Sequence, residues 1–247
     1  MKYDTVIWDL DGTLLDTLAD LTASTNAALA AFGYPPRTLA QIRQVVGNGA
    51  ANQIRKSLPE GAEDFDAVLT FYKAHYQAHC NEATRPYPGI LEALDTLKAR
   101  GIKMAVVSNK PDAATKALCR CHFGDRLDAA VGECEGVRRK PAPDSVLRAL
   151  ELLGGRAVYI GDSEVDIATA DNAGLDCICV GWGFRSAEAL LDAGAAVIAP
   201  DVDSLKPSGS LSRTSSMRRG ERIWIRRCKC CYHIAIGTVA TQKALTI

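Results

Sequence analysis

The stretch VIWDLDGTLLDT, residues 6–17, decides how the rest of the chain is read. Residues 6 to 8 are apolar and form a short buried strand. The run then breaks into two aspartates, Asp9 and Asp11, followed by Gly12 and Thr13. In an extended segment residues two apart share a face, so both carboxylates point to one place beyond the strand end. Gly12 allows a turn that an L side chain would resist. Two readings follow: a chemical site at a strand end, or a plain polar strand end closed by an Asp-Gly turn.

The flanking sequence favours the first by its topology. Residues 16–32 are rich in Ala and Leu, with Leu18, Leu21, Ala28 and Leu29 at helical spacing, and Gly33 with Pro35 and Pro36 ends that helix. Helical signals continue over 38–46, 49–58 and 63–80 with no strand among them, so 16–87 reads as a helical cap domain inserted into something else. RPYPGI, 85–90, brings the chain back. A helix over 90–100 follows, and then strands alternate with helices: KMAVVS (103–108), LDAAVG (127–132), AVYIG (157–161), CICVG (177–181) and AAVIAP (195–200). That order predicts an α/β core, a doubly wound parallel sheet covered on both faces, built from 1–15 and 88–206.

Composition places the chain among ordinary globular proteins: 247 residues, 47% hydrophobic, 23% charged, formal net charge zero. With no secretion signal and no apolar run long enough to span a bilayer, it reads as cytoplasmic, with no membrane partner. The nine cysteines are scattered apart from Cys228, Cys230 and Cys231. Their spacing lacks a CxxC pair, so idle thiols are preferred to a zinc site. Residues 207–247 hold eight Lys/Arg and a single acid, against a net negative remainder. This tail reads as a disordered or atypical appendage irrelevant to catalysis, in preference to a basic arm for nucleic acid or an anionic surface, so nucleic acid is not expected as a partner.

In open parallel sheets ligands sit beyond the carboxyl ends of the strands. There the sequence places Asp9 and Asp11, then Ser108 and Asn109, then Asp162 and Asp166, with Lys140 in an intervening loop. DLDGT at 9–13, Ser108, Lys140 before Pro141, and GDSEVD at 161–166 resemble, in order, the four motifs of the haloacid dehalogenase-like superfamily. The resemblance covers residues 1 to about 206 and implies a Rossmann-like core. Within it the chain is most similar to the phosphoglycolate phosphatases and their near relatives, through DLDGTLLDT, VGNGA (46–50), SNK (108–110) and GWGFRS (181–186).

The resemblance implies a magnesium-dependent phosphatase acting on a small phosphorylated metabolite, 2-phosphoglycolate first, through an aspartyl-phosphate on Asp9. Asp11 would protonate the leaving oxygen and then activate water. A true dehalogenase needs no such acid, so Asp11 favours phosphoryl transfer. Ser108 and Lys140 would hold phosphate; their bland alternatives are a helix cap and one of a solvated Arg-Arg-Lys run. Magnesium would take Asp9, the Asp11 carbonyl and Asp162, with Asp166 either a ligand or the group that orients a metal-bound water. Gly12, Thr13 and Asn109 are expected at the phosphate. In the cap, Gly47, Asn48 and Gly49 at a helix start, with Arg55, are expected at the substrate, against an ordinary Gly-Asn linker. Arg185 meets substrate or caps a turn. His75 and His79, at i and i+4, read as a solvated face rather than a metal pair. Rival functions on the same motifs are a sugar-phosphate mutase, an inorganic pyrophosphatase and a non-enzymatic regulatory module, and the chain is expected as a monomer or homodimer.

Overall fold

The computed structural model describes residues 3–205. In chain order the elements are β1 (Thr5–Trp8), β2 (Leu15–Asp16), α1 (Leu18–Ala31), α2 (Leu39–Val45), α3 (Gly49–Ser57), α4 (Phe65–His79), β3 (Arg85–Pro86), α5 (Ile90–Ala99), β4 (Lys103–Pro111), α6 (Asp112–Phe123), β5 (Ala129–Glu133), α7 (Asp144–Leu153), β6 (Ala157–Gly161), α8 (Glu164–Asn172), β7 (Asp176–Val180), α9 (Ala187–Asp192) and β8 (Ile198–Ala199). The basic tail and its three cysteines lie outside the described residues. No helix among the described residues is long and apolar enough to cross a membrane.

Six strands form a parallel sheet in the order β5-β4-β1-β6-β7-β8. β1 lies centrally, with Ile7 opposite Ala105 on one side and Tyr159 on the other. The two-residue period of the strands splits their side chains between two cores. Val6, Trp8, Met104, Val106, Val158 and Ile160 pack with Leu94 of α5 and Phe123 of α6. Ile7, Ala105, Val107 and Tyr159 face Val146 and Ala149 of α7 and Ala170 of α8. Strands buried on both sides are continuously apolar, which is why the core strands lack the alternation of a half-exposed sheet.

From β1 the chain builds outward through β4 and β5, then returns to the other flank of β1 with β6. The direction of winding reverses between β1 and β6, which opens a crevice at their carboxyl ends. Asp9 leaves β1 there and Asp162 leaves β6.

Helices α1 to α4 form their own apolar cluster around Leu21, Leu29, Ile42, Ile54, Val68 and Tyr72. Phe184, from the loop after β7, also enters it. The helix expected from residue 16 begins at Leu18 instead, because Leu15 and Asp16 pair antiparallel with Pro86 and Arg85. The two chain crossings between sheet and helices thus become a short ribbon. Asp20 of α1 clasps it: the buried carboxylate accepts from the Ala83 and Thr84 amides, each at 2.8 Å, and from Thr84 Oγ1 at 2.7 Å.

Candidate active site

A tight turn over 10–15 sets the first two carboxylates. The amides of Leu14 and Leu15 both donate to the Leu10 carbonyl at 3.0 Å, and Gly12 sits at φ 86°. A Cβ on Gly12 would run into Asp162 Oδ2, so the glycine leaves room for the acid that follows β6. Asp9 and Asp11 both line one cavity of about 620 Å³, together with Ser108, Asn109 and Lys140.

Lys140, buried, is the electrostatic centre. Its ammonium donates to Asp9 Oδ1 at 2.7 Å, Asp166 Oδ1 at 2.8 Å and the Tyr159 hydroxyl at 3.0 Å. Burial works against that charge, yet the Asp166 and Asp9 carboxylates outweigh it and raise the Lys140 pKa. Asn109 holds the lysine's backbone in place: its Oδ1 accepts from the Lys140 amide at 2.7 Å and its Nδ2 donates to the Lys140 carbonyl at 3.0 Å.

Asp9, Asp162 and Asp166 offer oxygens within 4.8 Å of one another. Burial, then the charge of Asp166, lifts the Asp9 carboxyl from 3.8 to about 7, with Lys140 pulling the other way. Asp162 is also raised, by burial and by Asp166 and Asp9. Asp166 is lowered, because Lys140 and its hydrogen-bond donors overcome its burial. Three carboxylates share one buried ammonium, and this imbalance fits a further cation of the oxygen-seeking kind. The oxygens available to it are selective. Asp166 is spent on protein donors: besides Lys140 and Tyr159, its Oδ2 accepts from Ser163 Oγ at 2.6 Å and from the Asp162 and Ser163 amides, each at 3.1 Å, closing the capping box of α8. Among the described residues, the Asp9 and Asp162 carboxylates each accept one hydrogen bond, from Lys140 and from the Phe184 amide at 2.6 Å. Asp166, grouped with the other two acids, thus also orients Lys140 and starts α8.

Asp11 accepts from Thr17 Oγ1 at 2.6 Å and lies 3.0 Å from the ammonium of Lys110, which also donates to the Tyr76 hydroxyl of α4 at 2.6 Å. Lys110 is buried, and as a site residue it escaped the sequence reading, which quoted it only within SNK. The available signal was its position: the third residue of a polar run closing a buried strand.

The residues expected at the substrate divide between the cavity wall and positions behind it. Thr13 is fully buried, and its carbonyl accepts from Trp182 Nε1 at 3.0 Å. Neither Gly12 nor Thr13 lines the cavity. Asn109 lines it, but its amide is committed to Lys140 and to the Gly47 carbonyl at 3.1 Å. Gly47 and Gly49 reach the cavity; Asn48 instead presents its carbonyl to Arg139 at 3.3 Å. Arg55 is turned away, its guanidinium 4.0 Å over the Phe65 ring, where stacking competes better than an exposed charge in water. Arg185 caps the end of α2 from across the interface, donating to the Arg43 and Val46 carbonyls at 2.9 Å each. The rings of His75 and His79 stack on each other, and each binds a neighbour, Ser24 and Glu82.

Comparison with known proteins follows the same lines. Residues 6–180 match the sequence model of the haloacid dehalogenase-like hydrolases. The chain is 37% identical over 187 residues to a phosphoglycolate phosphatase of Rhodobacter capsulatus, covering 73% of this chain and 85% of that protein. It is 36% identical over 214 residues to one of Agrobacterium fabrum, covering 82% and 90%. A crystal structure from Lactobacillus delbrueckii subsp. bulgaricus, provisionally assigned as a phosphoglycolate phosphatase, superposes with a TM-score of 0.79 at 38% identity, over 83% of this chain and 98% of that one.

Proposed function

The chain belongs to the haloacid dehalogenase-like hydrolases and is a phosphatase, and from its site we propose that it hydrolyses small phosphate monoesters through an aspartyl-phosphate on Asp9, with magnesium as cofactor. The names of its relatives make 2-phosphoglycolate the first substrate to test. The observation that carries the reading is the pairing of carboxylates in one cavity: Asp9, with an oxygen not engaged by Lys140, and Asp11 two residues on.

Asp9 attacks phosphorus, and the ester P–O bond breaks. Asp11 gives its proton to the departing alcohol oxygen, then takes a proton from the water that attacks the aspartyl-phosphate, releasing inorganic phosphate. Lys140 and Ser108 neutralise and orient the phosphoryl oxygens, and Asn109 keeps Lys140 aimed. Asp9, Asp162 and the Asp11 carbonyl would hold the magnesium ion, which supplies positive charge against the repulsion between carboxylate and phosphate. The helical unit over the sheet keeps bulk water from the reacting atoms, with Asn109, Arg139 and Arg185 bonding its loop carbonyls.

The test is acid-quench trapping of phosphoprotein from a labelled substrate with magnesium. Phosphoprotein and turnover are both expected in the unmodified chain and absent from Asp9→Asn. Turnover retained in Asp9→Asn, or full activity in excess chelator, would overturn the mechanism.

A further inference from the structure

The cavity over Asp9 is larger than a small phosphorylated acid requires. Its roughly 620 Å³ would hold about twenty waters at liquid density, whereas phosphoglycolate displaces on the order of five. The lining is mostly apolar, with Gln53, Lys73, Gln77 and Glu133 as polar members beyond the catalytic group. Away from the carboxylates the cleft runs between α4 and α6, lined by Leu21, Ala50, Tyr72, Ala113, Ala114 and Ala117. The alanines of α6 leave one wall low and one side open to solvent.

Charge accounting points the same way. Lys140 is committed to Asp9 and Asp166, and Lys110 to Asp11 and Tyr76. Arg139 and Arg185, at the margin, bond main-chain carbonyls of the helical unit. Among the described residues lining the cleft, Lys73, exposed at the rim of α4, is the remaining cation. The far compartment thus holds no buried positive group to receive a second anion, and it has apolar surface that an uncharged chain would cover.

We propose that the cleft between α4 and α6 is a subsite for an uncharged, apolar alcohol portion, so that the enzyme accepts alkyl phosphate monoesters with chains of about six carbons in addition to small phosphorylated acids. The inference rests on the phosphatase reading: ester and water give the free alcohol and inorganic phosphate. A fully buried methylene favours binding by about fourfold, and in a cleft open on one side about twofold is expected for each.

The test uses the full chain with magnesium and the n-alkyl phosphates from ethyl to octyl. Their alcohols are nearly equal as leaving groups, so differences report binding to the protein. The expected result is a kcat/KM that climbs on the order of tenfold from ethyl to hexyl phosphate and then levels off. A flat or falling series, with ethyl phosphate hydrolysed, would overturn the subsite and leave the phosphatase reading standing. Failure to hydrolyse any ester, phosphoglycolate included, would overturn both. Ala114→Leu and, separately, Ala117→Leu fill the cleft from α6. Each is expected to cut the hexyl-to-ethyl ratio severalfold with an unchanged melting profile, and an unchanged ratio in both would overturn the placement between α4 and α6.

Discussion

Replacing Asp9 by asparagine should stabilise the metal-free protein while it abolishes turnover. The Asp9 carboxyl is lifted from 3.8 to about 7, first by burial and then by Asp166. With the folded pKa above the unfolded one, the folded state holds a proton between about pH 4 and 7 that the unfolded state has released. Stability contributed by this group therefore falls as pH rises through that window and stays low above it. A shift of about three units corresponds to about 4 kcal/mol. Asparagine has no charge to bury, so it recovers this deficit above pH 7, less what Lys140 forfeits by losing its 2.7 Å partner while keeping Asp166 at 2.8 Å. The net gain is roughly 2–4 kcal/mol, or about 5–15 °C of melting temperature for a fold of this size. Thermal melts of both proteins in chelator from pH 4.5 to 8.5 should converge at the acid end and separate toward the alkaline end. Added magnesium should then close the gap, because it binds the charged aspartate. Parallel melting curves across pH, or an asparagine variant less stable at pH 8, would refute the argument that the site stores charge repulsion.

Lys110→Met removes the cation 3.0 Å from Asp11 and should lower kcat/KM for an alkyl phosphate by about 10- to 100-fold, but for para-nitrophenyl phosphate by under about threefold, because that leaving group needs no proton. Equal losses on both esters would show a merely structural lysine. Asp20→Ala strips the acceptor from the Ala83 amide and from the buried Thr84 amide and hydroxyl and should cost about 1–3 kcal/mol, read as a drop in melting temperature; a loss under about 0.5 kcal/mol would remove the clasp. Gly12→Ala forces a side chain into a left-handed backbone position and against Asp162 Oδ2, so the magnesium concentration for half-activity should rise at least about tenfold, and an unchanged titration would dissociate Asp162 from the metal.

The helices and the strands of the parallel sheet were legible in the chain because periodicity is local: apolar runs and helical spacings place most of them to within a few residues, and strands alternating with helices give a parallel sheet. That Asp9 and Asp162 meet follows from the same logic, since both close strands at the point where the winding reverses. The family was legible from four short motifs in order. What local pattern could not supply was the direction in which a side chain spends its hydrogen bonds. Arg55 has the right charge near the right loop, yet stacking on Phe65 turns it away. Asn109 stands at the cavity, yet Lys140, 31 residues later, takes both ends of its amide. Asp166 ends the GDSEVD motif, and only the fold shows that Ser163, Tyr159 and Lys140 all donate to it. Lys110 matters because Tyr76, inside the helical insertion, and Asp11, in the core segment before it, arrive at the same nitrogen. Residue types and element order are properties of neighbours along the chain, and so the sequence by itself determined the sheet, the family and the acids at the strand ends. Which polar groups remain free to act is settled by long-range partners competing for each donor and acceptor in a buried site, and that competition exists only once the chain has folded.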